Sequence, residues 1–258
     1  MISVITPTYE TNPDILARTW ASLKNQTHTD WEWVVWDDSK NDDTFHQLYG
    51  FCSDERYKIQ LYRSPVHTGI IGMVKLCAFL RADGDILIEL DHDDELTPNA
   101  LEIIHEMFNT SDNIGFVYSN WCEINERNES CRYPEGWAFG YGDDYWLEGE
   151  DVWVMRAPEL NATTMGHIVS APNHVRAWRA SVYRSLGGHN PTLRVADDYE
   201  LMVRTVLNTD TIHIDSLLYK QHINSNTAQR VHNYEIQQRV AEISTQYATQ
   251  LEAHYGNS

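Results

Sequence analysis

Ile86-Leu87-Ile88-Glu89-Leu90-Asp91-His92-Asp93-Asp94 lies between Gly84 and Pro98, an apolar run that ends in acid. A run of this length, bounded by glycine and proline, predicts a buried strand. Where a strand stops, residues two apart still point to one side, so Asp91 and Asp93 can converge. Carboxylates aimed at one spot repel each other unless a cation sits between them. Oxygen donors with no nearby thiol favour a hard ion, Mn2+ or Mg2+. The bland alternative is a solvated acidic turn ahead of the helix that Thr97 and Pro98 open.

Working outward, residues 2–6, 31–36, 59–62 and 114–118 predict further strands. Asn12 followed by Pro13 opens a helix that ends near Gln26, and helices are expected over 70–80 and 98–108. Strands alternating with helices imply an α/β fold with a mostly parallel sheet. In such sheets ligands bind beyond the carboxyl ends of the strands. Three ends are readable: Pro7-Thr8-Tyr9-Glu10, Asp37-Asp38 and Asp91-His92-Asp93. An aromatic ring, a carboxylate pair and a metal-capable cluster meet on one rim, which strengthens the metal reading. No G-x-G-x-x-G follows the first strand and no G-x-x-x-x-G-K-[ST] occurs, so a bound diphosphate would be held by metal instead.

The chain has 258 residues, enough for one large α/β domain or two smaller ones. Its 38 acidic and 19 basic residues give a net charge of −19, which repels nucleic acid and anionic lipid. An anionic substrate would need a cation at its site. No apolar segment approaches a membrane span, and the N-terminus runs into a strand with no secretory leader. Cys52, Cys77, Cys122 and Cys131 show no C-x-x-C spacing, so reduced thiols in a cytoplasmic protein are expected.

Residues 121–165 are rich in Trp, Tyr, Gly and acid, with weak periodicity, and are expected to be irregular. Trp137, Tyr141, Tyr145, Trp146 and Trp153 fall here. Their rings suit sugars, although packing is the commoner role. Helices are expected over 179–186, stopped by Gly187-Gly188, and over 198–207. Residues 234–255 place Ile236, Val240, Ile243, Tyr247 and Leu251 on one stripe of an amphipathic helix, which closes on the core or against a second subunit as a homodimer.

Five segments, in order, resemble the family 2 glycosyltransferases of GT-A fold. They are Val4-Ile5-Thr6-Pro7-Thr8-Tyr9; Val34-Val35-Trp36-Asp37-Asp38-Ser39 with Asp42-Asp43-Thr44; and Asp83-Gly84-Asp85 with Leu90-Asp91-His92-Asp93-Asp94. Then come Gly187-Gly188-His189-Asn190 with Ala196-Asp197-Asp198-Tyr199-Glu200-Leu201, and Tyr219-Lys220-Gln221-His222 with Asn226-Thr227. Each is loose alone; five in order, from residue 4 to 227, are specific.

The resemblance implies an inverting transferase that uses a nucleoside diphosphate sugar, a UDP-sugar favoured, with a glycan or other hydroxyl acceptor. Residues 1–115 would form the nucleotide-sugar half of one domain, 116–222 the acceptor half, and 223–258 a helical tail. Pro7, Thr8, Tyr9 and Glu10 would line the nucleotide site, with Tyr9 on the base. Asp38 would hydrogen-bond that base, with Asp37 beside it. Asp91 would reach the ribose or a metal-bound water, Asp93 would ligate the metal, and His222 would be a further ligand or a diphosphate contact. Asp198 would be the general base. Asp197, adjacent to it, would raise its pKa by like-charge repulsion, or cap the following helix. His174, Arg176 and Trp153 are weaker candidates for the acceptor side.

The departures fall around the donor. Ser39-Lys40 replaces the usual Gly-Ser, Val74-Lys75 stands where Arg-Asn is common, and Lys220 takes an arginine position, which gives up bidentate phosphate binding. Lys75 is retained as a nucleotide contact. A catalytically silent binding module of the same fold is the alternative. A metal phosphohydrolase, prompted by His92-Asp93, fits poorly because that pair follows a strand here.

Overall fold

A computed structural model describes residues 1–52, 56–134, 144–223 and 231–256. Its centre is a nine-stranded sheet in the order β3-β2-β1-β4-β10-β6-β11-β5, with β7 on β6. The strands are β1 (Ile2–Thr8), β2 (Trp31–Asp37), β3 (Lys58–Arg63), β4 (Ile86–Glu89), β5 (Glu95–Leu96), β6 (Ile114–Ile124), β7 (Ser130–Cys131), β10 (Arg176–Arg179) and β11 (Asp210–His222). β1, β2, β3 and β4 pair in parallel, as do β6 and β11, whereas β10 runs antiparallel to both β4 and β6. The carboxyl ends of the parallel strands and the amino end of β10 therefore share one rim.

Continuous apolar runs make the central strands, and every residue of β2 and β4 is buried. Aromatic rings fill the layers on either side. Trp20 stacks on Trp33 with centroids 5.2 Å apart, and Phe79, Trp178, Tyr183 and His189 form a second cluster under the site. Two of the buried indoles find a polar partner in a threonine: Trp33 Nε1 donates to Thr6 Oγ1 at 2.9 Å and Trp178 Nε1 to Thr205 Oγ1 at 3.1 Å.

The helices follow the expected segments to within a turn: α1 (Pro13–Lys24), α3 (Ile71–Phe79), α4 (Ala100–Thr110), α6 (Ala180–Ser185) and α7 (Asp197–Val206). Asn12 caps α1 by accepting from Asp14 N, with Pro13 at the first position. Two further helices, α2 (Asp43–Cys52) and α5 (Ala162–Met165), were not legible in the pattern. The closing helix α8 (Asn233–Tyr255) packs on α5 and α7. Val240, Ile243 and Leu251 are buried there, with Ile236 and Tyr247 against them, so the stripe seats within its own chain. Among the described residues no helix is long and apolar enough to cross a membrane.

Residues 121–165 are less irregular than expected. β6 continues to Ile124, and β8 (Tyr145–Leu147) pairs with β9 (Val152–Val154) as a hairpin. The reason is a small separate core of Cys122, Val152, Val154 and Leu217, which anchors the hairpin to the sheet. Cys122 and Cys131 are both thiols, with no disulfide between them. Trp137, Tyr141, Asn226 and Thr227 lie outside the described residues.

One glycine decides how α3 meets the segment leading into α7. A Cβ on Gly72 would stand 2.1 Å from the Asn190 carbonyl oxygen, while Gly72 N donates to Leu193 O at 3.0 Å. This contact brings Lys75 of α3 towards Asp197 of α7. Gly72→Ala is expected to cost about 1–3 kcal/mol by overpacking, read as a lower urea midpoint at unchanged m-value.

Candidate active site

The ends of β1 and β2 are tied together before they reach any ligand. Asp37, fully buried, accepts from Ser39 Oγ at 2.6 Å and Ser39 N at 3.1 Å, and Thr8 Oγ1 donates to it at 3.3 Å. Ser39 Oγ also accepts from Glu10 N at 2.8 Å. Glu10 itself is exposed, at a positive φ of 44°. The Asp38 carboxylate accepts from Thr68 N and Gly69 N at 3.1–3.2 Å and lies 3.0 Å from His67 Nδ1. Asp37 and Asp38 therefore face inward and shape two loops, rather than projecting from the rim. Tyr9 does project: it is 40% exposed, stacks on His67 with centroids 4.9 Å apart, and has Lys40 near its ring. Pro7 precedes it at the strand end, half-buried.

Beyond β4, the 91–94 turn is held by its carbonyls. Arg18 donates to Asp93 O at 2.6 Å, and Thr19 Oγ1 donates to His92 O and Asp94 O at 2.9 and 2.8 Å. Asp94 is buried and accepts from Tyr219 OH at 2.8 Å and His222 N at 2.7 Å. Burial, then the charges of Asp93 and Asp91, push its carboxyl well above the ordinary value. Asp91 and Asp93 stay half-buried. The His222 ring turns aside to Glu95, with Nε2 within 2.7 Å of Oε1.

That placement tests the divalent cation the family resemblance implies. Among the described residues, no group of three or more His, Cys, Asp or Glu side chains has metal-holding geometry. Two oxygen donors, Asp91 and Asp93, remain in a turn with excess negative charge. Such a set fits a hard ion that takes its other ligands from phosphate and water, as Mg2+ does. It does not fit a closed site made by protein alone.

A network of buried charges continues from there under α3 and α7. Glu89, fully buried at the end of β4, pairs with the Lys75 ammonium and lies 3.4 Å from Arg176 Nη1. Arg176 sits directly across from it in the β10–β4 register and reaches Asp198 Oδ2 at 2.8 Å. Lys75 Nζ is 3.7 Å and His189 Nε2 3.8 Å from Asp197 Oδ2. Lys75 is thus a residue of the interior and not of the nucleotide rim. His174 Nε2 lies 3.4 Å from Asp91 Oδ2, and its ring stacks on Tyr219 at 4.5 Å. Burial and the nearby Arg176 lower the His174 pKa to about 4, so the imidazole is neutral.

The acidic pair at the head of α7 divides unequally. Burial would raise both. For Asp198 it is outweighed by Arg176 and then Lys75, which bring the pKa down to about 2. For Asp197, burial joined by Asp198 and Glu89 prevails over Lys75 and lifts it to about 7. The expectation that repulsion raises Asp198 is therefore reversed, because a guanidinium sits against it. Neither acid caps the helix: the cap position is Ala196, at φ 57°, and Asp198 Oδ1 accepts from Tyr199 N. Their charges still favour the helix N-terminus. Accessibility separates them, since the Asp198 side chain is 22% exposed and Asp197 only 3%.

Trp153 lies on the hairpin, with Arg132 over its ring and the Trp146 edge beside it. Lys220 ties that hairpin to β11 through Glu150 at 2.6 Å. Sequence reasoning missed Glu89, His189, Glu95 and His67. Glu89 carried a usable signal, because a carboxylate inside an apolar strand is rarely fully buried without a partner.

Residues 3–179 match the family described as Glycosyl transferase family 2. The chain belongs to that family. Among curated relatives, a UDP-Glc:alpha-D-GlcNAc-diphosphoundecaprenol beta-1,3-glucosyltransferase of Escherichia coli is 34% identical over 128 residues, 50% of this chain and 48% of that protein. The family 2 chain thus spans about half the length of this relative. Among solved structures, S. aureus TarS in complex with UDP-GlcNAc aligns with a TM-score of 0.70 at 17% identity, covering 94% of this chain and 66% of that one. A mannosyltransferase of Pyrobaculum calidifontis with GDP-Man and Mn2+ aligns at 0.68 and 14% identity, covering 98% and 68%. At such identities the likeness shows the fold alone, GT-A.

Proposed function

We propose that this chain transfers a sugar from a UDP-sugar to a hydroxyl of a glycan or similar acceptor, with inversion, using Asp198 as general base. One observation carries this reading. His174 and Arg176, two residues apart, touch Asp91 and Asp198 respectively, so one short segment joins the donor rim to the base. The UDP-sugar choice draws support from the UDP-Glc that the Escherichia coli relative is named for and from the UDP-GlcNAc bound to TarS.

In this scheme Tyr9 offers a ring to the nucleobase, and Asp91 and Asp93 are the residues that would hold the cation. A bound Mn2+ or Mg2+ would supply Lewis acidity to the departing diphosphate. Asp198 takes the proton of the attacking hydroxyl from the face opposite the leaving group. A carboxylate held so acidic accepts that proton only as the hydroxyl acidifies in the transition state. This low basicity is also the one feature that favours the silent-module alternative; turnover of any UDP-sugar excludes it.

The test is UDP release from UDP-Glc, UDP-GlcNAc and UDP-Gal with Mn2+, with and without simple saccharide acceptors. Asp93→Ala is expected to remove the Mn2+ dependence of UDP affinity. An affinity that still rises with Mn2+ in that variant would move the ligand role elsewhere.

A further inference from the structure

We propose that Lys75 and Glu89 are positioning residues of the transfer step: Glu89 fixes Arg176 beneath Asp198, and Lys75 holds Asp197 in the interior beside it, so that Asp198 alone of the pair faces the cleft. This rests on Asp198 being the base. The geometry is a buried cluster of two cations and three carboxylates drawn from four separate elements. Lys75 comes down from α3, Glu89 up from β4, Arg176 from the facing position of β10, and Asp197 and Asp198 from α7.

Lys75 and Glu89 interlock. A lysine buried on the apolar helix α3 needs a carboxylate, and a glutamate in the apolar strand β4 needs a cation. Each meets the other, and each then touches one member of the machinery above: Glu89 lies 3.4 Å from Arg176, and Lys75 lies 3.7 Å from Asp197. Arg176 is therefore held from below by one carboxylate while it holds Asp198 above. With that anchor the guanidinium cannot follow Asp198 when an acceptor hydroxyl approaches, and the carboxylate oxygens keep one direction. Asp197, almost fully enclosed, acts as the charge reservoir beside the base. Its ionisation adds a negative neighbour that strengthens Asp198, and Lys75 and Glu89 act on that ionisation with opposite sign.

The other groups around the cluster are His189 ahead of α7, 3.8 Å from Asp197, and, on the side of Arg176 and Lys75, Asp91 from the turn after β4 and His174 ahead of β10. The His189 Nδ1 lies 2.8 Å from the Tyr183 hydroxyl of α6. His174 and His189 are kept neutral by burial, with pKa values lowered to about 4 and about 3. Neither balances the carboxylates near neutral pH.

The experiment compares Lys75→Met, Glu89→Gln and the double variant with the parent. The readouts are the titration midpoint of the Asp197 carboxyl by 13C NMR, the acid limb of kcat with a UDP-sugar, and the melting shift given by UDP. Lys75→Met removes a positive neighbour, so the midpoint and the limb should move up by about 1 pH unit. Glu89→Gln removes a negative neighbour and should move both down, and the double variant should return close to the parent. The UDP melting shift should be the same in all four proteins.

Midpoints that stay put, or that move the same way in both single variants, would overturn the proposal. So would a kcat limb that ignores a moving midpoint. If Lys75→Met does not fold, Glu89→Gln, isosteric and balanced in charge, carries the test. A parent that turns over no donor would instead sink the base reading, while the NMR midpoints still decide whether Lys75 and Glu89 control the pair.

Discussion

Asp198→Asn is expected to reduce sugar transfer by roughly 10²–10⁴-fold, the usual contribution of a positioned general base, while UDP affinity stays at the parental level. The split follows from where the residue sits. The substituted carboxamide keeps the shape and can still accept from Tyr199 N, as Asp198 Oδ1 does at 2.8 Å. Its NH2 group takes the place of the Oδ2 that accepts from Arg176 Nη1, so that one hydrogen bond is lost while the one to the head of α7 is kept. Tyr9, Asp91 and Asp93 are on other elements and keep their places. What goes is the only acid of the α7 pair with a solvent-facing side chain, 22% exposed against 3% for Asp197. The change therefore belongs in kcat and not in donor binding. Parental turnover in Asp198→Asn would remove Asp198 from the mechanism.

Arg176→Met has the largest expected effect on stability. It leaves Glu89, Asp197 and Asp198 facing Lys75 alone in a site where Arg176 is 7% exposed and Glu89 fully enclosed. Breaking a buried pair by removing one partner costs about 3–5 kcal/mol. For a chain of this size that corresponds to a Tm lower by roughly 10 °C. The pH dependence has a definite sign. Asp198 is depressed from 3.8 to about 2 in the fold, so the stability it derives from Arg176 is present above pH 3.8 and is lost as pH falls through about 2. The Tm gap between parent and variant should be full at neutral pH and close in that acid window. A gap independent of pH would mean that Arg176 matters through packing alone.

The strands of the donor half were legible because continuous apolar runs with glycine and proline at their ends admit few other states. The rim was legible because parallel strands deliver their carboxyl ends together, and β1 and β4, which Tyr9 and Asp91 follow, are parallel neighbours. The same rule leaves Arg176 only a weaker candidate: β10 runs the other way, so it is an amino end that reaches the rim. Glu89 was read as part of the apolar run, and Lys75 as a rim cation, since neither partner can be seen from one strand or helix alone. For α2, the run Asp43–Cys52 holds Gly50 and scattered aromatics, residues of low helix propensity. β11 carries register shifts between Ile214 and Tyr219, which break the alternation that would announce a long strand. His222 was expected at the metal because its motif put it there. In the fold, Glu95 lies close enough to claim its ring.

The most direct test of a UDP-sugar site on this rim is a calorimetric titration of UDP into the protein, with and without Mn2+. Binding should be saturable, need the metal and disappear with Asp91→Ala and Asp93→Ala together, whereas Asp198→Asn should bind as the parent does. UDP binding of equal strength without metal, or undiminished by the double alanine variant, would contradict such a site.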